Sequence, residues 1–354
     1  MRKQGQSSTG VKIMTRGGSV RKNVVLALLL FVIAITPGFA EKVAVFTDFT
    51  NPYEFHVDKD HFYVSEGTTI YIYSLKDYTL IKKFGRKGEG PGEFLLGQAG
   101  NGLLLHLLQD HIMVNSYGRI TYFTRDGEYI KEIPIKAVAR LIFPFYDQFL
   151  GLKYIRDGKT LVHQMNIYNA SFDLVKTIYR HEHGIQTGTG KKFNPLTINP
   201  PECKVYDNKI FMIDGQRDAL HVFNQQGEPL FTVTNKDDLL DFTDKDREIV
   251  LNDPFWKNFP NYKTLLEFPA HYPPIHWFYI DPAKKIIYLK TYTMVGDKAV
   301  FLLFDFNGSF IKKTLLPFNK EGEFHLAFFD GKYYRLMENA DEEVWELHIM
   351  TPVG

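Results

Sequence analysis

His56-Val57-Asp58-Lys59-Asp60-His61-Phe62-Tyr63-Val64 lies over His106-Leu107-Leu108-Gln109-Asp110-His111-Ile112-Met113-Val114 at an offset of 50 residues. Each copy has a histidine four residues before an aspartate turn, and each turn leads into a β-rich run, so one supersecondary unit repeats. The first copy belongs to four short runs, Glu54 to Asp58, His61 to Glu66, Thr69 to Ser74 and Thr79 to Phe84, with turns near Asp60, Gly67 and Asp77. The second belongs to Leu103 to Leu108, His111 to Asn115, Arg119 to Thr124 and Tyr129 to Ile133, turning at Asp110, Gly118 and Asp126-Gly127. Between the two sets stands Phe84-Gly85-Arg86-Lys87-Gly88-Glu89-Gly90-Pro91-Gly92-Glu93-Phe94, with four glycines and a proline in eleven residues. This stretch reads as a turn-rich crossing from one sheet to the next.

The grouping by four continues. A third set runs from about Arg140 to Tyr179, a fourth from Glu202 to Thr234, and a fifth from about Ile275 to Leu315, where Asn307-Gly308 is the strongest hairpin signal in the chain. The sixth set, Phe324 to Phe329, Lys332 to Glu338 and Glu343 to Met350, lacks a fourth strand. At the other end, Glu41-Lys42-Val43-Ala44-Val45-Phe46-Thr47 reads as a strand with no set of its own. Pairing the two closes a ring of six four-stranded sheets and removes the exposed edges of an open array. A parallel β-helix needs shorter repeats, and two β-sandwiches give no matching deficit at both ends. The expected fold is all-β: a six-bladed β-propeller over residues 41–354 closed by an N-terminal strand. The high aromatic content, 20 Tyr and 30 Phe, agrees with strands.

Residues 1–40 carry six basic side chains and no acidic one, followed by the apolar run Val24 to Ile35 and the small residues Gly38 and Ala40. A run of twelve is short of the roughly 20 apolar residues that cross a bilayer. The order reads as a secretory signal peptide cleaved before Glu41, with Met1 or Met14 as the start and an uncleaved anchor as the alternative. No stable membrane span is then expected in the mature chain, which would be periplasmic or extracellular. Without residues 1–40, 36 basic residues face 41 acidic ones, a net charge of −5, which argues against a nucleic-acid partner. Cys203 is the only cysteine, so no intrachain disulfide forms and stability rests on the core.

The crossing at 84–94, with Asn115-Ser116-Tyr117-Gly118-Arg119-Ile120 and Asp126-Gly127-Glu128-Tyr129, is similar to the linker-plus-blade pattern of NHL-type six-bladed propellers. Within that class the chain most resembles bacterial exported propeller proteins of unassigned role. Phe268-Pro269-Ala270-His271-Tyr272-Pro273-Pro274-Ile275 resembles a blade entry of the same group. The class includes ligand-binding, protein-binding and enzymatic members, so the resemblance implies a fold more than an activity.

One segment, 235–274, interrupts the repeat between blades four and five. Thr243 reads as the cap of a helix through Leu251, with Asp246 at the capping-box position. Phe255, Trp256, Phe259, Tyr262, Leu265, Leu266 and Phe268 follow, so this insertion is expected either to be a lid that only buries its own aromatics or to pack over one face of the ring or meet a partner there.

Motifs of known chemistry are few. Gly184 to Lys192 has the glycines of a phosphate loop at the wrong spacing and reads as an interblade loop. His181-Glu182-His183, if extended, places two imidazoles on one side, where a divalent metal could take two nitrogen ligands. Asn169-Ala170-Ser171 and Asn307-Gly308-Ser309 have the glycosylation spacing, but both fall on predicted turns. His56, His106, His276 and His325 fall in the first strands of blades one, two, five and six, and Glu202 holds a comparable place in blade four. First strands line the channel of a propeller, so these five residues form the candidate ligand-binding site. The expected function is an exported binding or interaction module for a protein or small polar ligand. The alternative is a metal-assisted hydrolase or lyase at the channel, as in the sugar lactonases and amidating lyases of this architecture, with a divalent metal as cofactor. This chain carries none of their ligand motifs.

Overall fold

The structure, a computed structural model, describes residues 40–96, 102–135, 141–158, 160–182, 190–235, 239–257, 261–318 and 325–352. These form six four-stranded antiparallel sheets. Blade 1 is β2 (Glu54–Val57), β3 (His61–Glu66), β4 (Thr69–Ser74) and β5 (Leu80–Phe84). Blade 2 is β6 (Leu104–Leu107), β7 (His111–Ser116), β8 (Arg119–Thr124) and β9 (Tyr129–Pro134). Blade 3 is β10 (Leu141–Phe145), β11 (Gln148–Asp157), β12 (Thr160–Tyr168) and β13 (Leu174–Glu182). Blade 4 is β14 (Glu202–Tyr206), β15 (Lys209–Ile213), β16 (Leu220–Phe223) and β17 (Pro229–Val233). Blade 5 is β18 (Trp277–Asp281), β19 (Ile286–Val295), β20 (Lys298–Asp305) and β21 (Phe310–Pro317). Blade 6 is β22 (Leu326–Phe329), β23 (Lys332–Asn339) and β24 (Val344–Met350), completed by β1 (Glu41–Phe46), which pairs antiparallel with β24. The expected six-bladed propeller and its closure by the N-terminal strand are therefore present.

The middle strands are buried on both faces, since each blade is packed against two neighbours. Phe62 to Ser65 and Ile70 to Tyr73 are unbroken buried runs. Six apolar clusters fill the ring, one between each consecutive pair of blades, and the last joins Leu336 and Trp345 of blade 6 to Phe55, Phe62 and Tyr73 of blade 1. The crossing at 84–94 supplies one piece of this filling. Glu93 ties it together by accepting from Gly90 N at 2.8 Å and pairing with Arg86, and Phe94 is fully buried between blades 1 and 2.

Two devices recur around the ring that period-two reading does not show. The outer strands of blades 1 to 5 each carry a β-bulge at their second residue: Ile81, Ile130, Val175, Leu230 and Ile311, all exposed. In blade 6 the register shift falls at Val43. A bulge twists an edge strand away from flat pairing, and the lysines that follow it in four blades, Lys82, Lys131, Lys176 and Lys312, work in the same direction against edge-to-edge association. Second, the turn before the outer strand packs on the preceding blade. Gly227 of blade 4 sits so close to Ile178 and Ile167 of blade 3 that a Cβ there would lie 2.4 Å from Ile178 Cγ2, and Gly308 of blade 5 meets Phe231 of blade 4 in the same way.

The insertion begins as expected. Thr243 caps α1 (Asp244–Asn252) through a complete capping box with Asp246, and α2 (Pro254–Lys257) and α3 (Tyr262–Leu265) follow. Its core differs from the expectation of a lid that buries only its own aromatics. Trp256 and Leu266 close over Phe193, which comes from the segment entering blade 4, and Phe193 exchanges backbone hydrogen bonds of 2.9 Å with Leu265 and Glu267. The chain at Gly190 to Lys192 is exposed, as a loop should be, but the next residue is a structural anchor; 184–189 lie outside the described residues. On the other side Tyr272 stacks on Tyr292 of β19 at 4.6 Å.

Candidate functional site

The inner strands decide which side chains meet at the axis. In β2, Phe55 and Val57 enter the cluster shared with blade 6, so strand alternation turns Glu54 and His56 the other way. In β6, Leu105 faces blade 1, which turns His106 toward blade 3 and against the Phe143 ring at 5.2 Å. In β14, Cys203 faces blade 3, so Glu202, Lys204 and Tyr206 turn toward blade 5, where Lys204 Nζ stands 5.8 Å from the Phe278 ring centre. Phe55, Leu105 and Cys203 are counterparts, and so are His56, His106 and Lys204. The pairings His56 with Tyr63 and His106 with Met113 show that the two histidines share one register, as their alignment in sequence implies.

Glu54 is the hub. Its Oε2 is 3.0 Å from His56 Nε2 and accepts from Leu105 N at 2.6 Å, linking blade 1 to blade 2. Burial works to raise its pKa, but the His56 hydrogen bond and charge, the Leu105 amide and His106 outweigh it and hold the carboxylate below its ordinary range. His106 is pushed down to about 4, first by burial and then by His56 and Lys204, against the upward pull of Glu54 and the Ile142 carbonyl. Asn115 Nδ2 donates to Ile142 O and lies 3.1 Å from His106 Nε2. That amide gives Nε2 a hydrogen, so the neutral ring carries its own proton on Nδ1. Across the ring, burial lowers Lys204 against the pull of Glu202, Glu54 and Cys203, and raises Tyr206 to about 12 with help from Glu54. Groups from blades 1, 2 and 4 thus act on one another around one axis.

The other sequence candidates have different surroundings. Glu202 opens β14 beside Lys204. His276 and His325 each precede their inner strand by one residue. His276 contacts Tyr292 edge-on at 4.5 Å, and its carbonyl accepts from Arg217. His325 is buried, bonds Pro52 O at 2.9 Å through Nε2 and packs edge-on to Trp345, so it joins blade 6 to the entrance of blade 1. His181 lies on the outer strand of blade 3 opposite His163, where burial lowers its pKa despite Asp214 and Glu182; His183 lies outside the described residues. Among the described residues no group of three or more His, Cys, Asp or Glu is placed to hold a metal ion. Both glycosylation-like sequences are built into turns: Asn169 Oδ1 accepts from Ser171 N and Asp173 N, and Asp305 Oδ1 accepts from Asn307 N and Ser309 N.

Sequence reading picked the histidines and missed Glu54, Asn115, Lys204 and Tyr206. The available signal was the polar-apolar-polar alternation Glu54-Phe55-His56 and Glu202-Cys203-Lys204, read on the apolar residue that faces the preceding blade.

No family model matches the chain, and no curated protein matches it. Among solved structures, an exported protein of Bacteroides fragilis superposes with a TM-score of 0.53 at 12% identity, covering 88% of this chain and 94% of that one. A DUF4221 family member from Bacteroides vulgatus gives 0.49 at 10% identity over 89% and 98% of the two chains. The first likeness shows the shared propeller fold. Among the described residues no helix is long and apolar enough to cross a membrane.

Proposed function

We propose that this chain is an exported binding module whose ligand is a small polar molecule held in the propeller channel. The observation that carries the reading is the convergence of Glu54, His56, His106, Lys204 and Tyr206 from three blades on one axis, where Glu54, His56, His106 and Lys204 each influence another's protonation and Glu54 also acts on Tyr206. Structural ion pairs in a propeller need only adjacent blades; this set reaches from blade 1 to blade 4. Export is supported by the leader-like order of residues 1–40 and by the exported neighbour from Bacteroides fragilis. The crossing at 84–94 resembles that of NHL-type propellers, and that resemblance supports a binding module more than it names a ligand.

Two measurements test the reading. N-terminal sequencing of protein recovered outside the cytoplasm should find Glu41 first; recovery with Val24 to Ile35 attached would reject cleavage. Thermal-shift screening of the mature chain against small polar metabolites should find a stabilising ligand whose effect disappears in a His56→Ala, His106→Ala double variant. A ligand that stabilises both proteins equally would place binding elsewhere.

A further inference from the structure

We propose that the channel site selects a small zwitterion, with an anionic group directed at Lys204 and Tyr206 of blade 4 and an ammonium group directed at Glu54 of blade 1. This rests on the channel being a ligand site and specifies what that site takes. Blades 1 and 4 are three places apart in a ring of six, so their inner strands lie on opposite sides of the axis. Each side uses only part of its hydrogen-bonding capacity within the protein. Glu54 commits Oε2 to His56 and Leu105, whereas Oε1 has no hydrogen-bond partner among the described residues. Lys204 has three N–H donors, and its only specific contact among the described residues is the ring of Phe278. The Tyr206 hydroxyl likewise makes no hydrogen bond to a described residue, although Tyr206 packs against the cluster between blades 4 and 5.

Glu202 and then Glu54 pull on Lys204, yet Glu54 and Lys204 do not close to an ion pair among the described residues, Glu54 being paired through Oε2 with His56 at 3.0 Å. Side chains meant to neutralise one another close to within 4 Å; these stay apart on opposite walls, with a half-buried surface facing the axis. A bound zwitterion would give each a charge-assisted partner at once. A simple anion would gain Lys204 but meet the Glu54 carboxylate, and a simple cation would gain Glu54 but meet Lys204. A neutral polyol would leave Lys204 and the free Oε1 of Glu54 without a charged partner. His106, neutral and fixed by Asn115, adds a hydrogen-bonding edge without changing the charge balance.

The test is calorimetric titration of the mature chain with glycine, β-alanine, γ-aminobutyrate, acetate, methylammonium, phosphate and glucose. The three amino acids set the charge separation from short to long. At least one should bind at least tenfold more tightly than acetate, methylammonium, phosphate or glucose, and Lys204→Met and Glu54→Gln should each weaken it at least tenfold. Should Lys204→Met not fold, Tyr206→Phe and Glu54→Gln preserve shape and carry the test by the same loss. Channel binding of acetate, phosphate or glucose in preference to all three amino acids would overturn the zwitterion and leave the channel as a site. Tight amino-acid binding unchanged in every variant, or no heat from any of the seven probes, would overturn this inference; if thermal-shift screening also finds no channel ligand, the proposed function falls with it.

Discussion

Lys42 Nζ on the first strand lies 3.0 Å from Glu346 Oε1 on the last, although 304 residues separate them in sequence. Glu346 also accepts from Asn339 Nδ2 and bonds His348, and these contacts, Asn339 foremost, hold its pKa near about 2 against the opposing effect of burial. A depressed carboxylate contributes stability above its unfolded value of about 4.3, and that stability is lost as pH falls toward the folded value. Glu346→Gln should therefore cost about 1–2 kcal/mol at pH 7 and close to nothing at pH 2. Deleting residues 41–46 removes the whole closing strand and should cost several kcal/mol, beyond the roughly 1 kcal/mol of an ordinary substitution. Urea unfolding of both variants checks this, and an unchanged midpoint for the deletion would show that the ring does not depend on β1.

Gly227 and Gly118 separate backbone strain from blade contact. Both have positive φ, +68° and +76°, but a Cβ at Gly118 meets nothing within 4 Å, whereas one at Gly227 strikes Ile178. Alanine at 118 should cost about 1 kcal/mol from its backbone alone, and alanine at 227 about 1–3 kcal/mol more. Equal melting temperatures for the two variants would show that the turn does not bear on the preceding blade.

Asp281 is fully buried at the end of β18 and accepts from Ala283 N, Lys284 N and Asp330 N through Oδ1 and from Gly331 N through Oδ2. The last two belong to blade 6, so one carboxylate fixes its own turn and docks the next blade. Asp58 has the corresponding role in blade 1, reaching Arg125 of blade 2. Asp281→Ala should lower stability by about 3 kcal/mol, because four backbone amides lose a charged, buried acceptor. Chemical denaturation with Asp58→Ala alongside checks whether both ends of the ring rely on the same device.

The pH dependence of stability has a second source in His106. Its folded pKa near about 4 lies below the unfolded value of about 6.5, so the unfolded chain takes up the proton first. Its contribution is complete above pH 6.5, declines as pH falls through the window between the two values, and is gone below about 4. The loss is at most about 3 kcal/mol. His106→Gln should flatten the melting-temperature profile across that window.

The ring was legible because each blade is a local event. Turns such as Asp126-Gly127 and Asn307-Gly308 announce themselves within a few residues, and the lone strand at 41–46 fits the open edge of the three-strand set that ends at 344–350. The capping box at Thr243 is local too. What escaped depends on distant neighbours. Nothing near Phe193 in sequence shows that Trp256 will cover it, and nothing near Lys204 shows that blade 1 will present Glu54 across the axis. His276 and His325 looked equivalent to His56 because residue type was visible, while their one-residue displacement from the inner strands was not. The bulges at Ile81 and its counterparts were hidden for the same reason, since an extra residue opposite a partner strand exists only once the strands pair.

The central claim is that binding occurs at the axis between blades 1, 2 and 4. Long-range nitrogen–proton spectra of the histidine rings measure it directly, because the chain carries channel histidines, His56 and His106, and surface ones such as His221 and His271. Without ligand, His106 should show the neutral form protonated on Nδ1 down to pH 5. Adding a stabilising ligand should shift the resonances of His56 and His106 in proportion to occupancy and leave His221 and His271 in place. Shifts confined to His221, His271 or other surface rings would contradict binding in the channel.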